Sequence, residues 1–254
     1  MAITGIVSAR HKLSRARVHI DDLSRRIAAY TDENRLNVKH FWQPSRVHKG
    51  EVEVEIVMTG STPAEVPDEW GLVAGDALTN MRAALDHSLH PHARQFPILK
   101  SFQNAQGKQL RLETVFDTTV TALLERYQPR MSAAPDLDPL AILNALVNED
   151  KHHQLLVANN FNARLVVVES DHYEVTHQEE NEFDRLSEGD VFTRLRLKPT
   201  KMEPFEFAFR EYLETEPVIN IPKISENVAI LDALNDAHSR VSTIVEELAA
   251  AGLS

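Results

Sequence analysis

Two short stretches concentrate the side chains that could do chemistry. The first is Gly75-Asp76-Ala77-Leu78-Thr79-Asn80-Met81-Arg82-Ala83-Ala84-Leu85-Asp86-His87. On a helix, Asp76, Asn80 and His87 fall within about 40° of one another. Arg82 and Asp86, four apart, pair on a neighbouring face. The second stretch is Asn148-Glu149-Asp150-Lys151-His152-His153. A buried carboxylate or ammonium is costly unless paired. Asp86, Asp150, Arg82 and Lys151 therefore have reason to neutralise one another between packed helices, and the two stretches are expected to meet in a cleft open to solvent. There an imidazole of near-neutral pKa can shuttle a proton, and a guanidinium can hold a phosphate bidentately as charge builds on it. The same network also has a purely structural reading, in which it fixes helix register.

Metal chemistry is the other use of these residues. Asp86, His87, His90, His92, Asp150, His152 and His153 offer nitrogen and oxygen ligands for a metal-dependent hydrolase, since helical metal sites draw carboxylates and histidines from facing helices. However, His87-x2-His90 has no second acid-x2-His to match it, and Pro91 breaks the geometry. The expectation is no metal and no other cofactor. There is no phosphate loop, no dinucleotide-binding glycine pattern, no Gly-x-Ser-x-Gly and no His-Glu-x-x-His. Kinase, Rossmann dehydrogenase and α/β-hydrolase readings are thereby poor. Cysteine is absent, which excludes disulfides, thiolate metal sites and cysteine nucleophiles and fits a cytoplasmic protein.

Charge sets a further bound. Acidic residues number 38 against 27 basic, a net charge of -11. This field repels nucleic acid at long range, so an RNA partner has to be held by a local basic pocket. No apolar run reaches the roughly 20 residues of a membrane span, and the first ten residues do not read as a signal peptide. No membrane association is expected.

Arg82-Ala83-Ala84-Leu85-Asp86-His87 is an Arg-x4-His pattern, and it resembles the signature of HEPN domains, helical proteins that often act as metal-independent RNases in defence and toxin systems. The resemblance implies an endoribonuclease in which Arg82 clamps the phosphate and His87 is the acid/base. Asp76, Asn80, Asp86, Asn148, Asp150, Lys151 and His152 would stand in support. A longer ordered set comprises Gly75 to His87, Phe96-Pro97-Ile98, Gln128-Pro129 and Asn148-Glu149-Asp150-Lys151-His152. It resembles a group of uncharacterised actinobacterial and phage proteins and implies no activity. Arg130 and His153 stand where that group has Tyr and Arg. The alternatives to the RNase are a non-catalytic phage or host interaction protein or small-ligand-binding protein, and then the metal-dependent hydrolase.

The elements that must position these groups follow from periodicity. Ile6, Ala9, Leu13, Ala16, Ile20, Leu23, Ile27 and Tyr30 recur in steps of three and four, which predicts a long helix from about 4 to 31. Leu36 to Trp42 and the alternating Glu51 to Met58 predict a β-hairpin turning at His48-Lys49-Gly50. Pro67-Asp68-Glu69 opens a helix that Pro91 ends, either kinked at Gly75-Asp76 or split in two. Further helices are expected over 106–127 and from Asp138-Pro139 to about 157. From Asn162 the period changes to two, giving strands near 165–168, 173–175, 191–197 and 205–209, with Arg194 and Arg196 opposite Glu206. A last helix starts after Pro222 with Ser225 as N-cap, and its seam includes Leu234, His238, Val241, Val245 and Leu248.

The pattern argues α+β: a mainly helical core of long N- and C-terminal helices plus three central helices, with an antiparallel hairpin and a β-meander. The length suits one domain or two interleaved ones. It is taken as a single domain, 1–254, with a helical core at about 1–31, 67–158 and 224–252 and β segments at about 35–58 and 162–221. The terminal helices are expected to pack together or across a homodimer.

Overall fold

A computed structural model describes residues 5–34, 37–59, 64–103, 116–167, 172–180, 187–200, 209–221 and 226–253. Helix α1 spans Gly5–Glu33. All eight residues of its predicted seam, from Ile6 to Tyr30, are buried. A seam repeating every three or four residues stays on one side of a helix, so this stripe alone dictates which face α1 hides. Strands β1 (Asn37–Pro44) and β2 (Val52–Thr59) form the predicted hairpin. Helix α2 runs unbroken through Gly75-Asp76, from Glu69 to Ser88, so the segment is one helix and is not split in two there.

Helix α3 (Thr118–Arg126) starts at Asp117, whose carboxylate accepts from the Val120 amide at 2.9 Å. The earlier part of the helix expected over 106–127 lies mostly outside the described residues. Helix α4 (Pro139–His152) starts in the same way at Asp138, which accepts from the Leu140 amide at 2.9 Å with Pro139 in the first turn. It ends earlier than expected, because the chain turns into strand β3 at Val157 (Val157–Val167). Strands β4 (Tyr173–Glu180), β5 (Val191–Pro199), β6 (Phe209–Ile221) and β7 (Glu226–Ala229) precede helix α5 (Ile230–Ala250).

The last helix is a correction. It begins at Ile230, because the residues expected to form its first turn pair instead as β7 against β6, Val218 opposite Ala229 and Asn220 opposite Asn227. Ser225, the expected cap, lies outside the described residues. So do residues 205–208 of the expected strand, including Glu206.

The described residues form two antiparallel sheets, with strand orders β1-β2-β5-β4 and β3-β6-β7. The contacts divide the chain into two compact units, one of residues 1–27, 66–158 and 217–254, the other of residues 28–65 and 159–216. In the first unit α2, α4 and α5 pack on one another. Leu78, Met81, Leu85, Leu140, Leu143, Val241 and Leu248 are among its buried side chains. Helix α1 joins α5 through polar bonds as well. Arg10 grips Glu246 with a fork whose bonds are 2.9 and 2.6 Å. His238 donates from Nε2 to the Leu13 carbonyl at 3.2 Å and accepts on Nδ1 from Arg17 at 3.2 Å. Burial, ahead of every other cause, pushes the His238 imidazole below its ordinary pKa.

In the second unit the four-stranded sheet has a core of Val54, Tyr173, Leu195 and Leu197. Arg194 and Arg196 sit opposite Glu55 and Glu53 in the β2–β5 register. Arg194 bonds Glu55 at 3.0 Å, and Arg196 lies 3.9 Å from Glu51.

Candidate functional site

Helix α2 buries Trp70, Ala74, Ala77, Leu78, Met81, Ala84 and Leu85, and its polar residues flank that face. Two glycines let α2 approach the α4 region closely. A Cβ on Gly75 would run into the Asp150 carboxylate, and one on Gly71 would run into the Leu155 carbonyl oxygen. The two polar stretches therefore meet, at Gly75 and Asp150. What meets there is a pair of like charges. Asp150 is half-buried, and its carboxyl is raised above the ordinary carboxylate range, first by burial and then by the charge of Asp76. Asn80 does not bridge the two acids. Its amide donates to the Asp76 backbone carbonyl at 2.8 Å.

Arg82 and Asp86 pair as expected, at 3.1 Å. Together they grip the backbone of one residue. Arg82 Nη2 donates to the Phe96 carbonyl at 2.9 Å, and the Phe96 amide donates to Asp86 Oδ1 at 2.8 Å. Phe96 itself is buried. Gln128 ties the next part of the loop to α3. Its side chain accepts from the Leu99 amide at 2.8 Å and donates to the Leu124 carbonyl at 2.9 Å. The Arg130 amide closes the join by donating to the Leu99 carbonyl at 3.0 Å. The ordered motif set thus has a physical account: Arg82-x3-Asp86, Phe96-Pro97-Ile98 and Gln128-Pro129 are the parts of one device that pins the loop 91–99.

That loop walls a cleft of about 950 Å³. Arg82, His92, Arg94, Gln95, Phe116 and Asn144 are among its lining residues, and no Asp or Glu is among the described residues that line it. The Arg82 Nη1 is buried and has no hydrogen-bond partner among the described residues. The His92 and Phe116 rings lie 6.0 Å apart at 58°. Asn144 also lines a neighbouring hollow of about 430 Å³, with Lys100, Asn148, Glu149, His152 and His153. Asn148 and His152 thus share a wall residue with the Arg82 cleft, while Lys151 is exposed on α4.

His87 faces elsewhere. Its Nδ1 is 2.7 Å from the Ser8 hydroxyl on α1, and it is not among the residues that line the Arg82 cleft. Among the described residues no group of three or more His, Asp or Glu side chains converges as metal ligands would.

Sequence reasoning missed Ser8, Arg94, Gln95 and Asn144, and it named His92 only as a metal ligand and not as part of an anion cleft. Asn144, Asn148 and His152 recur at steps of four, a spacing that marks one helix face and that could have found the first of them. Nothing local marks Ser8 as a partner of His87, because that contact depends on how α1 lies against α2. No known protein family, no curated protein and no solved structure matches the chain.

Proposed function

We propose that the cleft beside Arg82 binds a small organic anion, a carboxylate or phosphate carried on a flat apolar body. This is the ligand-binding member of the readings open from the sequence. The observation that carries it is the charge of the lining: Arg82, Arg94 and His92, with no acid among the described lining residues, in a chain of net charge -11. A hollow of this size is in the range of small-molecule sites, which are mostly apolar with a few placed polar groups. Phe96 and Leu99 give the apolar wall, and Arg94 is exposed and close enough to fold over an anion. The buried Arg82 Nη1 is a donor without an acceptor among the described residues.

The ribonuclease reading asks for Arg82 and an acid/base at a single phosphate. His87, bonded to Ser8, is a weaker choice for that role than His92, which lines the cleft.

The test uses inorganic phosphate, adenosine monophosphate and benzoate as probes, followed by calorimetry and thermal shift. At least one of the three is expected to bind saturably. Arg94→Ala should weaken it roughly tenfold to a hundredfold, the loss of a hydrogen bond to a charged partner. Because Arg94 is exposed, its loss leaves the melting temperature of the free protein unchanged. Absence of binding by all three, or equal binding by Arg94→Ala, overturns the proposal. RNA cleavage that persists in EDTA and disappears in His87→Ala replaces it by the ribonuclease.

A further inference from the structure

We propose that the edge strand β1 and its turn to β2 form a docking surface for single-stranded nucleic acid, with Trp42 and Phe41 as stacking platforms. This surface lies within the second unit and does not depend on the cleft reading.

The strand departs from the rest of its sheet. On β2, Val54, Ile56 and Met58 are buried as an alternating strand requires. On β1, by contrast, Phe41 and Trp42 are 56% and 62% exposed. The register sets Trp42 opposite Val54 and Phe41 opposite Glu55, so the two rings stand on opposite faces of the sheet edge. Each has a cationic or titratable neighbour two residues back on its own face, Lys39 for Phe41 and His40 for Trp42. Among the described strands β1 is an edge, and an edge strand carrying two large exposed aromatic rings is an aggregation hazard that proteins usually suppress.

Charge decides the occupant. Residues 37–50 include Lys39, Arg46 and Lys49, together with His40 and His48, and no acidic residue, against an excess of acid in the whole chain. The glutamates of β2 face the arginines of β5 in the register, Glu55 opposite Arg194 and Glu53 opposite Arg196. Glu55 bonds Arg194 at 3.0 Å, and Glu53 accepts from the Ser45 hydroxyl at 2.7 Å. Exposed rings interleaved with cations are what sequence-tolerant single-strand binding uses, the bases stacking and the cations following the phosphates. A second copy of this chain fits less well. A two-fold contact through β1 would bring the same lysines and arginine of both copies together.

The chain supplies its own reporter. Of its two tryptophans Trp70 is 2% exposed, so a change in quenchable emission reads Trp42. The probe is a fluorescein-labelled oligo(U) of about 12 nucleotides, within the span of known single-strand sites. We expect saturable anisotropy with tryptophan quenching at the same midpoint. Trp42→Ala and Phe41→Ala should each weaken binding about tenfold, in line with base–aromatic stacking elsewhere. The double substitution Arg46→Glu/Lys49→Glu should weaken it and flatten its dependence on salt. All four positions are exposed, so unchanged melting temperatures certify the fold. Arg94→Ala should leave this binding intact, which keeps the surface and the cleft separately falsifiable. The proposal is overturned by no binding at low salt, or by affinity that ignores Trp42→Ala. Self-association abolished by Trp42→Ala, without oligonucleotide binding, overturns it in favour of a second copy.

Discussion

The two ends of α2 treat buried charge in opposite ways. Toward its C-terminus, Asp86 is offset by Arg82, and the pair satisfies both backbone groups of Phe96. Toward its N-terminus, Asp150 lies against Gly75, and the charge that acts on it, Asp76, has its own sign. Both ends bring α2 against a distant part of the chain. The first does so through four polar groups that complete one another. The second does so by removing side-chain bulk, which lets backbone and carboxylate come close without neutralising anything. A polar cluster on a helix can therefore be a clamp or merely a close approach, and only partners from elsewhere in the chain tell which.

Breaking the clamp should have the largest effect. Arg82→Met keeps most of the apolar stem but strands the Asp86 carboxylate and the Phe96 carbonyl. Losing one partner of a buried pair costs 3–5 kcal/mol in general. Here the side chains are 15% and 23% exposed, so water offsets part of that loss and we expect about 2–3 kcal/mol. In a chain of this size that is a fall of roughly 5–10 °C in melting temperature. Adding Asp86→Leu to Arg82→Met should recover part of the loss, because no uncompensated charge remains. A melting temperature unmoved by Arg82→Met would mean that loop 91–99 is held by other means.

The glycines separate close approach to backbone from close approach to side chain. A methyl on Gly71 meets the Leu155 carbonyl, which cannot move without the chain, whereas one on Gly75 meets the end of the Asp150 side chain, which can rotate away. Alanine also gains about 0.8–1 kcal/mol over glycine inside a helix. Overpacking against fixed atoms costs about 1–3 kcal/mol, so Gly71→Ala should be destabilising by roughly 1–2 kcal/mol net, while Gly75→Ala should come out near neutral. Urea midpoints of the two variants compare them directly. Equal losses would mean that Asp150 is held as firmly as backbone.

These pairs also mark how far the sequence can be followed. The seam of α1 was legible because helix periodicity is local, and every residue of it is buried. The Arg82–Asp86 pair was legible for the same reason, being four residues apart on one helix. The meeting of the two polar stretches followed from charge matching, yet the charges that meet are Asp76 and Asp150, which do not match. The sheet order was not legible. Glu55 bonds Arg194 across 139 residues of chain, and nothing in either strand's alternation names the other. The pattern suggested Glu206 as the partner of the arginines because it was near in sequence. Strand β7 was missed for a related reason: pairing with β6 won the residues that a helix start would have used. Loop 91–99 carries no periodicity, so Arg94 stayed invisible, and His92 was read only as a candidate metal ligand, until Arg82, Asp86 and Gln128 fixed the place of the loop.

The smallest effect belongs to the unpaired end, and it is one of sign. Asp150 has its carboxyl raised above the ordinary value of 3.8, first by burial and then by Asp76. The folded protein therefore holds that proton more tightly than the unfolded chain does. Stability from this group is complete below the unfolded value and is lost as pH rises through the folded one. At neutral pH the ionised Asp150 is a net cost to the fold. Asp150→Asn should accordingly raise the melting temperature at pH 7 by a few degrees at most, and the gain over wild type should shrink as pH falls toward 4. Asp76→Asn should shift stability in the same direction but by less, since its charge is the second cause and not the first. In the double variant the two gains should fall short of adding, because each removes the same repulsion. A loss of stability at neutral pH in Asp150→Asn would show that its charge is answered by a cation, and that this end of α2 is a clamp like the other.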